Sequence, residues 1–268
     1  MSGIEWWLGC TAIGAVVGLL AGMLGIGGGA ITVPLLAALF EAQGLPRSQI
    51  LHLAVGTAMA AILFTSMSSV RAHHARGAVR WDVLKRITPG ILVGGLAGSA
   101  GAGLISSRGL ALFFTLLIYA MGTAMWLDRK PQATRELPGP VGMFTVGAVI
   151  SGLSSLVAIG GAAMTIPFMI FCNLQPIHAV GTASAIGFPI ALAGTIGYVG
   201  SGTAAGGLPP WSLGYVYLPA LVGVTAAGVL TAPLGASLAH RLPTKRLKQS
   251  LAVLLFFLAT RMLIRFWT

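Results

Sequence analysis

Two glycine clusters, each inside an apolar stretch, are the part of this sequence whose residue types and spacing best suit binding chemistry. The first belongs to G-I-G-G-G-A-I-T-V-P at 25–34, and the second to I-G-G-A-A-M-T-I-P at 159–167. Glycine is a poor helix former, and a short helix is predicted to begin after each cluster. Because the N-terminus of a helix presents unpaired amides and about half a positive charge, each cluster predicts an anion site.

Threonines accompany both clusters and add hydroxyl donors. One lies inside each stretch, and another closes each of two A-V-G-T blocks at 54–57 and 179–182. The alternative is that these small residues only allow helices to pack closely, and for the duplicated cluster we favour a site over packing. The predicted substrate-binding residues are Gly27, Gly28, Gly29, Thr32, Gly56, Thr57, Gly160, Gly161, Thr165, Gly181 and Thr182.

The positions of the carboxylates argue against a cationic substrate. Transporters of cations usually place a carboxylate near the middle of the membrane. Here 137–239 contains no Asp, Glu, Lys or Arg, and all five carboxylates fall in predicted loops or at span ends: Glu5, Glu41, Asp82, Asp128 and Glu136. We therefore expect an anionic substrate, no metal site and no cofactor.

Two histidines, His52 and His178, stand just before the A-V-G-T blocks. Histidine changes its charge near neutral pH, so a role in proton coupling is one interpretation. The start of a span often places a histidine at the membrane interface, and this is the favoured interpretation.

Composition predicts an integral membrane protein. Of the 268 residues, 56% are hydrophobic and 8% are charged, whereas soluble domains average about 25% charged residues. Long apolar segments favour a helical bundle over a β-barrel. The net charge of +11 resides in loops, as the positive-inside rule requires, so nucleic-acid binding is not expected. The cysteines, Cys10 and Cys172, are expected to serve packing.

The chain is predicted to contain two homologous repeats. The glycine stretches match at an offset of 133 residues, the A-V-G-T blocks at 125, and a Trp, a Pro and a Gly at 130. The predicted division is a first repeat at 1–130, a polar linker at 131–138 and a second repeat at 139–268. Eight predicted spans and two short helices make up the all-α fold: 6–24, 51–70, 87–106, 109–127, 140–158, 177–199, 213–238 and 249–267, with 30–40 and 162–172 as the short helices.

The distribution of Lys and Arg between the two faces distinguishes parallel from inverted repeats. If each short helix folds back, 71–86, 129–135 and 241–248 share one face and hold 12 of the 16 Lys and Arg. The opposite face keeps Arg47, Arg108, Arg261 and Arg265. With eight plain crossings the division is 10 to 6. The fold-back obeys the positive-inside rule better, so we favour inverted repeats with both termini outside.

The paired glycine stretches, each running into T-x-P and followed by A-V-G-T, resemble the TauE/SafE sulfite exporter family of bacterial membrane proteins. The resemblance covers nearly the whole chain, including L-P-A-L-V-G at 218–223 and the basic segment near Lys245. It implies secondary transport of small sulfur-containing or carboxylate anions. The second repeat departs from the pattern of the first, and its half-site is expected to be narrower: Ala158, Ala162 and Ser155 replace the equivalents of Gly25, Gly29 and Gly22.

The leading functional hypothesis is a multi-pass transporter of the inner membrane that exports a small oxyanion. An importer of a related anion is the alternative in the same class. An intramembrane hydrolase using Ser154 or Ser155 with His178 or His240, and a structural assembly factor, are hypotheses from other classes. The predicted partners are a small anionic substrate and the lipid bilayer, with a homo-oligomer also compatible.

Overall fold

Ten helices dominate the protein. The computed structural model describes residues 3–24, 28–127, 135–239 and 244–267. The helices are α1 (Gly3–Leu24), α2 (Gly29–Ala42), α3 (Arg47–Ala75), α4 (Trp81–Ala102), α5 (Ser107–Leu127), α6 (Pro140–Val157), α7 (Ala162–Phe171), α8 (Pro176–Thr203), α9 (Leu218–Ala239) and α10 (Thr244–Trp267). A hairpin of β1 (Ser212–Leu213) and β2 (Val216–Tyr217) precedes α9. The predicted polytopic helical fold is confirmed, including a short helix after each glycine cluster.

The largest boundary difference concerns the seventh predicted span, 213–238. Its predicted start is wrong, because the chain forms the hairpin and helix α9 begins only at Leu218. Gly214 adopts a left-handed φ of 53° at the hairpin turn, a conformation that favours glycine. Pro219 then occupies the first turn of α9, where its missing amide hydrogen costs nothing.

Seven of the eight long helices are apolar enough to cross a membrane. The eighth, α4, begins with charged residues and holds five glycines, which lower its hydropathy. Helices α3 and α8 form the centre of the bundle, with 78% and 67% of their apolar windows buried, against at most 39% for the other five. The remaining spans therefore present much of their surface to lipid.

Helix α2 runs back along α1. At its start Gly28 lies beside Val17 of α1, and near its end Phe40 stacks on Trp6 with ring centroids 6.1 Å apart. Because Val17 is well inside α1, helix α2 begins within the bundle and returns the chain to the face where α1 started.

Helix α7 returns in the same way. The amide of Arg135, which precedes α6, donates to the carbonyl of Phe171 at the end of α7 over 3.3 Å. The end of α7 therefore lies beside the start of α6.

Contacts between helix ends define two faces of the bundle. The first face joins the ends of α2 and α10 to the start of α3, through ion pairs of Glu41 with Arg47 and Arg265. It also includes the α4–α5 turn and the hairpin, both of which contact His52. The second face joins the α3–α4 turn to α8, where the amide of Arg80 donates to the Thr182 hydroxyl.

Glycines bring the two halves of the chain together at matching positions. Helix α9 packs on α1 and α4 packs on α6. Gly14 and Gly18 of α1 meet the α9 backbone at 224 and 228, and Gly94 and Gly98 of α4 meet the α6 backbone at 148 and 152. Small residues let membrane helices approach closely. In each of these two pairs, one helix comes from the first half of the chain and the other from the second half. The division into inverted repeats stays a prediction.

One prediction concerns this packing. The change Gly94→Ala would place a Cβ against the carbonyl oxygen of Ala148, whereas Gly101→Ala on the same helix adds a Cβ with nothing within 4 Å. We expect Gly94→Ala to lower the free energy of unfolding by about 1–3 kcal/mol through overpacking. Gly101→Ala is expected to be neutral or to stabilise by up to about 1 kcal/mol through helix propensity. Thermal unfolding of the two purified variants measures the difference, and equal effects would contradict the α4–α6 contact.

Candidate functional site

The two glycine breaks meet inside the bundle. Gly28 and Gly161 precede α2 and α7 with left-handed φ values of 72° and 74°, a conformation that costs any other residue type roughly 1–2 kcal/mol. A Cβ on Gly29 would overlap the carbonyl oxygen of Ala158, so the first residue of α2 touches the break between α6 and α7. Gly160 packs beside this contact, with its carbonyl against Gly187 of α8. Gly27 lies outside the described residues.

Each short helix presents open amides at this junction. The first amides to bond back to Gly28 are those of Ile31 and Thr32, both at 3.0 Å. The first to bond back to Gly161 are those of Met164 and Thr165, at 3.0 and 2.9 Å. Among the described residues, the amides at 29, 30, 162 and 163 have no backbone acceptor. The junction therefore combines two positive helix ends with free N–H donors, which suits an anion.

The predicted hydroxyl donors of the two stretches are engaged with their own helices. Thr32 donates to the carbonyl of Gly28 and Thr165 to that of Gly161, both over 2.9 Å. These hydrogen bonds close the first turn of each short helix. In this arrangement the threonines stabilise the N-terminal ends of α2 and α7, which we call the tips, and the backbone supplies the hydrogen-bond donors.

The A-V-G-T blocks lie away from the junction, one towards each face. Thr57 accepts the amide of Tyr217 over 3.0 Å, and Thr182 accepts that of Arg80 over the same distance. Gly56 packs on the carbonyl of Tyr215, and Gly181 on that of Ala78. The block at 54–57 therefore holds the hairpin that leads into α9, and the block at 179–182 holds the turn that leads into α4. The structure does not bring these four residues together with the tips.

The two histidines differ in their surroundings. His52 is buried on the first face, and its Nε2 lies 3.0 Å from the carbonyl of Ala102 and 3.1 Å from that of Ile105. Its Nδ1 lies 3.3 Å from the Ser107 hydroxyl. Two carbonyl acceptors require a hydrogen on Nε2, which leaves Nδ1 free to gain or lose one. His178 is half-buried on the second face and makes one long contact of 3.4 Å with the carbonyl of Ala78.

Two arginine-lined cavities open on the first face. One has a volume of about 390 Å³ and is lined by Arg47, Arg108 and Arg265. The other, of about 460 Å³, is lined by Arg47, Arg261 and Arg265 together with apolar residues of α2 and α10. A third cavity beside Gly28 measures only about 10 Å³. None of these three is lined by the starts of both short helices.

Sequence reasoning missed this arginine cluster. The signal was present, because these are the four basic residues that the fold-back topology left on the face with fewer charges. From the sequence alone, they served only to count charges on each face. Only the contact of α2 and α10 with the start of α3 shows that they converge.

The hydrolase hypothesis finds no support in the described geometry. Ser155 donates to the carbonyl of Gly152, and its own carbonyl accepts the hydroxyl of Tyr198. His178 lies 20 residues before Tyr198 on the same helix, which is about 30 Å. A nucleophile and its base must be within hydrogen-bond reach. His240 lies outside the described residues. Within the described ranges, no group of three His, Cys, Asp or Glu side chains is placed to hold a metal ion.

This fold, with two interrupted segments that contact each other at their breaks inside the bundle, is typical of secondary membrane transporters. The chain belongs to the sulfite exporter TauE/SafE family, whose model matches residues 10–262. The family resemblance seen in the sequence is thereby confirmed, and the protein is a membrane transporter.

Relatives support the same class. A probable membrane transporter protein of Haemophilus influenzae is 32% identical over 257 residues, which cover 96% of this chain and 97% of the relative. The probable membrane transporter protein YdhB of Bacillus subtilis is 26% identical and covers 88% of this chain and 91% of its own. A third, MJ0441 of Methanocaldococcus jannaschii, is 25% identical with coverage of 94% and 93%. No solved structure matches the chain.

Proposed function

We propose that this protein is a secondary transporter of the inner membrane that exports a small sulfur-containing or organic oxyanion by alternating access. The observation that carries the proposal is the contact between the start of α2 and the break between α6 and α7 inside an apolar bundle. The described carboxylates lie at helix ends or in loops, and the main-chain amides at the starts of α2 and α7 offer hydrogen-bond donors. The name of the family, sulfite exporter, supports an oxyanion of this type.

The energetic argument is the cost of desolvation. An anion that leaves water must recover its lost hydrogen bonds within the protein. Four amides and two helix dipoles offer them, and glycine lets a solute approach the main chain. The start of α2 contacts Ala158 at the break between α6 and α7 in this structure. Separation of the two halves at this contact would give a substrate access to the amides, as an alternating-access cycle requires.

Import of a related anion is the second candidate function. The observation that favours it is the position of the two large cavities. They open on the first face, which carries fewer Lys and Arg than the second face. By the positive-inside rule this face is outside the cell. A binding cavity open to the outside suits capture as well as release, so the direction depends on the coupled gradient.

We further propose that the chain consists of two inverted repeats, with the second face in the cytoplasm. The return of α2 along α1 and of α7 towards the start of α6 supports this topology, since each half then makes an odd number of transits. A reporter enzyme that works only in the cytoplasm tests it. Fused after residue 268 it should stay inactive, and inserted at 131–134 it should be active. Activity at both positions would favour eight plain crossings.

The role of the tips predicts the effect of two substitutions. Gly28→Ala and Gly161→Ala each force a Cβ into a left-handed residue and push it against Val17 or Ile190. We expect efflux of sulfite from loaded proteoliposomes to fall at least about tenfold in both variants. The displaced backbone raises the free-energy barrier to transport, and a rise of about 1.4 kcal/mol lowers the rate tenfold.

Gly44→Ala is the matched control for these two variants. Gly44 has an equally left-handed φ of 81°, but it lies in a loop with nothing within 4 Å of an added Cβ. Its sulfite efflux should match that of the unchanged protein at equal amounts of folded protein. Full efflux in both tip variants would show that the site lies elsewhere.

We propose His52, rather than His178, as the group that couples transport to protons. It is buried on the floor of the 390 Å³ cavity, facing the ring of Tyr215 and sharing the cavity with Glu41 and three arginines. His52→Gln keeps an amide donor for the neighbouring carbonyls but cannot titrate. Sulfite flux in this variant should lose the part of its pH dependence that a titrating histidine supplies, whereas His178→Gln should keep it. An unchanged pH profile in His52→Gln would contradict the assignment.

A further inference from the structure

The 390 Å³ cavity of the first face has the chemistry of a binding site in its own right. Five elements surround it: the end of α2, the start of α3, the α4–α5 turn, the hairpin and the end of α10. The guanidinium groups of Arg47, Arg108 and Arg265 line it, together with Ser48, Ser106 and Ser107. Its volume equals that of about a dozen water molecules, enough for a small oxyanion that keeps part of its hydration shell.

The charges of the cavity do not balance. Glu41 is its one carboxylate, and it pairs with Arg47 over 3.2 Å and also with Arg265. Arg108 has no ion-pair partner among the residues that the structure describes. Three cations therefore face one anion, which leaves the cavity with a net positive charge. A concave site lined by one sign of charge concentrates ions of the opposite sign.

Glu41 links this cavity to the junction of the tips. It lies in the last turn of α2, and the first residue of the same helix, Gly29, touches Ala158. Gly29 and Glu41 belong to one helix of 14 residues, which contains Pro34. The ion pairs of Glu41 with Arg47 and Arg265 therefore anchor the end of the helix whose first residue contacts Ala158.

We propose that this cavity is an outer vestibule that binds a free small oxyanion, and that Glu41 is the built-in competitor which the anion displaces from Arg47 and Arg265. The proposal rests on the anion-transport function above and adds a second, outward-facing anion site to it. Displacement of Glu41 releases the end of α2 and lets its tip move away from Ala158. Occupation of the vestibule thereby favours opening of the junction.

Sulfite binding to the purified, detergent-solubilised protein tests the vestibule by isothermal titration calorimetry. Arg108→Gln removes the arginine that has no ion pair and should weaken sulfite binding about tenfold, as the loss of a charge-assisted hydrogen bond predicts. Arg261→Gln is the matched control, since Arg261 lies on the same face, makes no ion pair within the described ranges and lines the other cavity. Its affinity should be unchanged. Equal affinities in the two variants would overturn the proposal.

Glu41→Gln tests the competition. The substitution keeps the size of the side chain but removes its charge, so sulfite should bind several-fold more tightly. Weaker binding in this variant would show that Glu41 is not a competitor and would overturn that part of the proposal. In measurements of uptake from the outer face, Arg108→Gln should raise KM with little change in kcat, because in this direction the vestibule acts before translocation.

An anionic lipid headgroup offers the same oxyanion chemistry and is distinguished by a second arm. Sulfite titrations are repeated with the protein in neutral lipid nanodiscs and in nanodiscs containing phosphatidylglycerol. Equal affinities support a free solute, and loss of sulfite binding in the anionic lipid would overturn the proposal in favour of a lipid site. The two proposals also fail separately. Sulfite flux with an unchanged KM in Arg108→Gln would contradict only the vestibule. Sulfite binding in the vestibule without any flux would contradict only the transport function.

Discussion

The absence of water from the middle of the bilayer is the constraint on which this structure depends. A main-chain amide in hydrocarbon has no partner unless the protein provides one, so a break in a helix is tolerated only inside a packed bundle. The breaks at Gly28 and Gly161 meet this condition by touching one another across the Gly29–Ala158 contact. The free amides that a break exposes are thereby collected at one point. The same constraint that makes these breaks costly makes them useful to an anion.

Close packing of small residues keeps the breaks in place. Glycines along α1 and α4 admit the backbones of α9 and α6 from the other half of the chain. The A-V-G-T blocks repeat this exchange, because each threonine accepts an amide from the other half. The central helices α3 and α8 carry these blocks and are the most buried spans. Movement of one half against the other must therefore slide glycine-lined surfaces, which present few side chains that could interlock.

The distribution of charged residues follows a different rule from the packing of the helices. The basic residues of the second face satisfy membrane insertion, since the positive-inside rule acts on loops near span ends. The four arginines of the first face do not follow that rule, and the structure gathers them around two cavities. One of these cavities reaches His52 and Glu41, and through α2 it connects to the junction. The proposed transport function makes the surface charge pattern and the internal backbone site parts of one path for an anion.

The sequence by itself determined the class and the elements. Apolar length decides which segments can cross a bilayer, so seven spans and two short helices were predictable in this way, as was the family through its glycine stretches. Proline and glycine near 214–219 did not reveal the hairpin, because the apolar run there fits a span equally well. Tertiary structure alone decided that the start of α2 contacts Ala158, that Thr57 and Thr182 serve the packing of the other half, and that arginines of α3, α5 and α10 converge. The reason is physical: hydropathy and helix propensity are local properties, whereas these contacts join different helices of the folded chain.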